Sequence, residues 1–324
     1  MIDAWVRLWD EREAPTSLAA VRLLLGLALM VDLLQILQLG LVDALFTGPG
    51  AGGLVAGRTD APWAMVVGLD PWSGRILYGA MLLSALCLCV GWWTRLAAVT
   101  LLLLWAQFAW MVPQADRGID MLGRNVLLLL ACSGAGAALS VDAWWAQRRG
   151  RAAAASIPAW PRRLLLLQLV AMYAGAGVQK YAQQWWPWGD FAALWVIWHD
   201  WPMSAVAADA WLTSGLAWRF SQLATAVTIT WEVTFPLMLW WWWLLRTRER
   251  GGRLRAWVVR WRPDLFYVGL GVVFHLGIAW WLDLGIFPWA MLALYPAFVA
   301  PGDLDAWISR AGYRKHVVGG PADG

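Results

Sequence analysis

The segment MYAGAGVQKYAQQWW, residues 172–186, sets a lysine beside a wall of tryptophan in a chain that otherwise avoids lysine: among 25 Lys plus Arg the only lysines are Lys180 and Lys315. On a helix, Tyr173, Gly177, Lys180 and Gln184 share one stripe at i, i+4, i+7 and i+11. Tyr173 and Lys180 then face the same place, and the small residues Ala174 to Gly177 let a neighbouring helix or a flat ligand approach the backbone closely. Desolvation favours the neutral amine of a lysine, and a neutral amine can serve as a general base. A structural reading stands beside it, in which Lys180 snorkels to the membrane surface or pairs with a carboxylate such as Glu232. Position alone leaves both open.

Arg22, Asp32, Glu232, His275 and Asp283 also fall inside apolar stretches, where an ionisable group is costly enough to be a functional candidate. Glu232, in ITWEVTFPLML with Pro236 one turn on, must be protonated, paired or in a wet cavity. His275 reads equally as a packed neutral histidine or a site residue. Arg22 and Asp32 lie too far apart on one helix to pair with each other, so their partners must come from other helices. His199 and His316 lie in loops, and no pair of histidines gains a third ligand at sensible spacing, so no metal is expected. Cys87 and Cys89 point apart on a helix, and with Cys132 they read as packing residues. Gly48, Gly50 and Gly53 match G-x-G-x-x-G formally, but Pro49 interrupts them and no strand-helix unit flanks them, which leaves a turn-rich loop. There is no G-x-S-x-G elbow.

The elements that must position these groups are helices in lipid. With 61% hydrophobic and only 14% charged residues, against roughly 25% charged in a soluble domain, the chain reads as an all-α polytopic membrane protein. Apolar runs at about 17–37, 75–92, 96–113, 122–140, 162–184, 220–245, 264–282 and 284–300 predict about eight transmembrane helices. Residues 1–14 predict an interfacial amphipathic helix, 15–301 the transmembrane domain and 302–324 a tail. Leu254, Trp257, Val258 and Trp261, set among arginines, predict a second interfacial helix that touches anionic lipid. The arginine-rich loops at 145–163 and 246–262 are expected in the cytoplasm, with both termini, in a bacterial-type inner membrane. Lys180 then lies toward the outer side. The net charge of +4 resides in these topology signals and not in a basic face for nucleic acid. Of the 30 tryptophans, Trp185, Trp186, Trp188, Trp195, Trp198, Trp201, Trp211 and Trp218 follow Lys180 closely, enough to form an interfacial belt and to roof a cleft above the lysine.

The segment QLVAMYAGAGVQKYAQQWWPWGDFAALW resembles the Tyr, Ala-Gly-Val, x-Lys and W-x-x-G signature of the HTTM (horizontally transferred transmembrane) family, whose membrane domain is shared with vitamin K-dependent gamma-carboxylase. APTSLAAVRLLLGLALMVD at 14–32, LSVDAWW at 139–145 and FHLGIAWWLDLGIFPWAMLALYPAFV at 274–299 follow the family's order. The resemblance implies that Lys180 is the base that deprotonates a reduced isoprenoid quinone of vitamin K type, with epoxidation and a carboxylation-type step to follow. The carboxylating members carry a histidine about twenty residues before the SVD block and append a large soluble region. Here DRGIDMLGRN occupies 116–125 without a histidine, and the chain stops shortly after its last span.

The resulting expectation is a quinol-linked membrane enzyme with Lys180, Glu232 and His275 as catalytic candidates. Tyr173, Gly177, Trp185 and Trp186 would bind the quinol, and membrane lipids and a lipid-phase or periplasmic substrate would be its partners. The alternative is a non-catalytic scaffold or a small-solute transporter.

Overall fold

A computed structural model of the 324-residue chain describes residues 6, 9–55, 60–151, 154–200, 203–205 and 214–310. The chain divides into two compact units, Met1–Leu165 with Ala293–Gly324, and Leu166–Leu292. The first unit holds β1 (Arg12–Glu13), α1 (Thr16–Gln38), α2 (Val42–Phe46), α3 (Pro62–Val66), α4 (Pro71–Val90), α5 (Thr94–Met111), α6 (Gly118–Cys132), α7 (Val141–Arg148) and β2 (Ile157–Pro158). α8 (Trp160–Val178) begins in it and continues into the second unit, followed there by α9 (Ala193–His199), α10 (Gly215–Thr234), α11 (Leu237–Arg246), α12 (Arg253–Trp261) and α13 (Pro263–Trp281). α14 (Phe287–Leu294) leads back to the first unit, which ends in α15 (Pro301–Arg310). Among the described residues the fold is all-α apart from the antiparallel β1–β2 pair, Arg12 against Pro158 and Glu13 against Ile157, and one isolated bridge, Ser204 with Leu282.

α1 shows why these sequences make membrane helices. Leu18, Val21, Leu25, Leu29 and Leu33 are buried, while Leu24, Leu27, Val31 and Leu34 are exposed, so the helix is apolar all round. A soluble bundle would place polar residues on that outer stripe; hydrocarbon accepts leucine there. By length and composition Thr16–Gln38, Pro71–Val90, Thr94–Met111 and the apolar run Arg253–Trp281 suffice to cross a membrane, with the bent pair α10–α11 as a fifth. Among the described residues the expected number of eight is therefore not reached by length and composition. α6 stops at Cys132 instead of running to about residue 140, and Phe287–Phe298 is a shorter apolar helix. The α10–α11 span is bent by 55°, with Pro236 between its halves.

In the first unit α1 packs on α4, α4 on α5 and α5 on α6. At Gly26 an added Cβ would lie 2.6 Å from the backbone N of Cys89, so this glycine sets the closeness of the α1–α4 crossing. Arg22 is fully buried and binds only carbonyl oxygens: Leu88 (2.6 Å), Cys89 (2.8 Å), Leu139 (2.5 Å) and Ala135 (3.2 Å). Two of these are last-turn carbonyls of α4; that of Leu88 also accepts from the Gly91 N–H at 3.2 Å, whereas that of Cys89 has Arg22 as its donor. From the SVD block, Asp142 accepts from the Trp93 and Thr94 backbone N–H groups at 2.8 and 2.9 Å, capping α5, and Ser140 caps α7 through Ala143 N–H. The block is a clasp at one end of this unit.

Residues 1–5, 7 and 8 of the expected helix at 1–14 lie outside the described residues, and Arg12–Glu13 at its end form β1; Arg314, Lys315 and His316 of the tail also lie outside. The stretch expected as a second interfacial helix forms α12, with Leu254, Trp257 and Trp261 exposed and Val258 buried.

Candidate functional site

Lys180 lies just past the end of α8, not within the span as the sequence suggested, because the helix ends at Val178. Its Nζ donates back to the Ala176 carbonyl at 3.2 Å, satisfying one of the last carbonyls of its own helix. The same ammonium meets Glu232 Oε2 at 2.5 Å and lies 4.8 Å from the centroid of the Trp185 ring. The following loop is folded over it. Trp186 donates its indole N–H to the Lys180 carbonyl at 2.8 Å and stacks on Trp188 at 5.4 Å. At Gly189 an added Cβ would lie 2.2 Å from the Gln183 carbonyl oxygen, so the last position of the W-x-x-G signature must be glycine for the loop to close.

Glu232 comes from α10. Pro236 has no N–H to offer the Glu232 carbonyl in helical register, and the Phe235 N–H takes that carbonyl at 3.2 Å instead. α8 approaches α10 closely at Gly177, where an added Cβ would meet Val233 N at 2.8 Å and Glu232 Cβ at 3.0 Å. What the small residue admits here is the neighbouring helix. The side chain of Glu232 is 5% exposed and that of Lys180 19%, so the pair is anchored in the protein at its carboxylate and reaches solvent at its amine.

Tyr173, seven residues back and roughly 10 Å along the helix, forms a separate pair. Its hydroxyl lies 2.8 Å from His275 Nε2 on α13, and its ring packs on Trp231 and Phe235 at 4.8 and 4.5 Å. Tyr173 on α8 and Lys180 just past its end thus both meet the stretch Trp231–Phe235 at the end of α10, but each has its own polar partner. His275 is fully buried, ringed by Phe274 and Phe287.

The other candidates do not join this cluster. Arg22 belongs to the clasp, and Asp32 pairs with Arg117 at 2.8 Å. Asp283 is exposed after α13, its backbone N–H bound to the Met203 carbonyl. His199 is exposed on α9, its Nδ1 2.7 Å from the Trp195 carbonyl, and Trp218 lies in α10. Trp201 and Trp211 lie outside the described residues. Sequence reasoning missed Trp231 and Phe235 as the packing around Tyr173; their spacing about Glu232, one before and three after, was the available signal.

Residues 11–244 match the family model described as the HTTM domain, a stretch that contains Tyr173, Gly177, Lys180, Trp185, Trp186 and Glu232 but not His275. No curated protein and no solved structure matches the chain. Since the matched stretch takes in more than half of its residues, this membrane protein belongs to the HTTM domain family.

Proposed function

We propose that the protein is a membrane enzyme in which Lys180 is the general base toward an acidic hydroxyl delivered from the lipid phase, a reduced isoprenoid quinone being the substrate class. The observation that carries this reading is the Lys180–Glu232 pair, 2.5 Å apart, in which a carboxylate stands ready to take a proton from the ammonium. Transfer of that proton to Glu232 leaves a neutral amine beneath Trp185 without moving net charge. Trp185 and the stacked Trp186 and Trp188 are of the right kind to hold a flat ring against the amine. When bound, a reduced quinone supplies the acidic hydroxyl. Tyr173 and His275 act at a distance, fixing α8 against α13 and so the direction in which Lys180 points. In this reading the protein sits in an inner membrane with the arginine-rich stretch 246–262 and both termini in the cytoplasm, and α12 lies against anionic lipid.

The second reading is a non-catalytic scaffold or solute pathway. It is favoured by the number of partners Lys180 already has: a carboxylate, a carbonyl and a ring face. The experiment uses membranes containing the full chain, supplied with a reduced naphthoquinol and oxygen, with quinone epoxide followed by mass spectrometry. Epoxide from wild type that is lost in a folded Lys180→Ala supports the enzyme; no epoxide from either favours the second reading.

A further inference from the structure

The first unit contains a cavity of about 180 Å³ unrelated to the Lys180 cluster. It lies where α1 and α5 end and α6 begins. Its apolar wall is built by Leu33, Met81 and Leu101 with the aromatic rings of Phe46, Trp105 and Phe108, of which Phe46 and Phe108 are stacked at 4.6 Å. An apolar cavity of roughly 150 Å³ is enough to admit benzene, so this one accepts a single ring with a short substituent.

One side of the cavity is charged. Arg117 donates to Asp120 through Nε and Nη2, both at 2.9 Å, and through Nη2 to Asp32 Oδ2 at 2.8 Å. One cation therefore serves two carboxylates, leaving a net charge of −1 on the wall. The nearby Arg124–Asp116 pair, at 2.6 Å, cancels itself. Oδ1 of Asp32 accepts from no group among the described residues, and the Asp32 side chain is only 17% exposed. A half-buried carboxylate oxygen with spare capacity, set in a cavity faced with aromatic rings, suits a cation that can both donate to it and lie against the rings.

We propose that this cavity binds a single-ring amphiphile bearing a primary ammonium group, the ring among Phe46, Trp105 and Phe108 and the ammonium on Asp32. The test places the purified full chain in nanodiscs of zwitterionic lipid and follows 4-fluorobenzylamine, 4-fluorotoluene and 4-fluorobenzoate by fluorine NMR, with the signal of empty discs subtracted. The amine is expected to bind at least tenfold more tightly than the toluene, with no binding of the benzoate. Asp32→Asn should abolish the preference for the amine while toluene binding persists, which shows that the cavity is still formed. Ala115→Phe, in the loop that borders the cavity, should abolish binding of both. Absence of amine binding, equal binding of all three probes, or an amine preference that survives Asp32→Asn overturns the proposal.

Discussion

Arg22 in the first unit and Lys180 in the second are both basic groups drawn into apolar surroundings, yet Arg22 meets only carbonyl oxygens whereas Lys180 meets a carboxylate. A guanidinium cannot be deprotonated in a protein, and four carbonyls offer it nowhere to send a proton, so the charge of Arg22 is fixed and its work is structural. An ammonium facing a carboxylate can exchange its proton within the pair. The partner, more than the depth of burial, separates a clasp from a candidate site.

The largest effect is expected where charge and geometry are both fixed. Arg22→Met strands three carbonyls, those of Cys89, Ala135 and Leu139, while Leu88 keeps the Gly91 N–H; at roughly 1–3 kcal/mol each the loss reaches into the roughly 5–15 kcal/mol of a whole domain. Little folded protein should be recovered from membranes, and Arg22→Lys should not rescue it, because one ammonium has three donors in a tight cluster and cannot span carbonyls from both α4 and the 133–140 loop. Ordinary yield and Tm from Arg22→Lys would break the comparison.

Next in size is the ion pair. Removing one partner of a buried pair costs about 3–5 kcal/mol, and the two partners should not be equivalent. Lys180→Ala leaves Glu232, the deeper of the two, without its cation, whereas Glu232→Gln leaves an amine that can turn toward solvent. Lys180→Ala should therefore lower Tm more than Glu232→Gln, and Lys180→Met with Glu232→Leu should recover part of the loss without any quinol-dependent activity. Equal penalties would mean that both side chains are equally wet, and would weaken the case for a proton held inside the pair.

The clasp and the pair were not equally legible in the sequence. Lys180, Glu232 and their pairing could be named because an ionisable residue in an apolar run is conspicuous and the carboxylates available to it are few. The cost of burying Arg22 was legible too, along with the need for partners on other helices, but carbonyl partners leave no trace in residue types. The all-α membrane fold followed from composition. The length of α6 did not, because residues 133–138, SGAGAA, are apolar enough to extend a span yet form the loop that offers the Ala135 carbonyl to Arg22. Similarly, spacing set Tyr173 and Lys180 on one stripe, but it reveals neither that the helix ends at Val178 nor that His275 takes one and Glu232 the other.

A smaller effect tests the closeness of the clasp. Gly91 has φ +72°, and an added Cβ would lie 2.4 Å from Ser140 Cβ and 2.6 Å from Arg22 Nη1. Gly91→Ala combines a left-handed backbone strain of about 1 kcal/mol with overpacking of about 1–3 kcal/mol. Tm should fall, but less than for Arg22→Met, since the arginine is displaced and not deleted.

The smallest effect lies at the opposite end of α4, where Asp70 accepts from the Trp72 and Ser73 backbone N–H groups at 2.9 and 3.2 Å. Those two amides, Ser73 first, hold its carboxyl below the ordinary carboxylate range. A group whose value is lowered on folding stabilises the fold above its unfolded value, near 4, and that contribution is lost as pH falls through the lower folded value. Asp70→Asn keeps the cap without the charge, so wild type should exceed it slightly in Tm at pH 7, with the difference vanishing as the pH is taken below about 4. Arg22 has no such window, because a guanidinium keeps its charge throughout the range in which a fold can be tested. A difference between wild type and Asp70→Asn that persists at low pH would mean that the cap acts by shape alone, and one helix would then have an uncharged start and a charged, carbonyl-bound end.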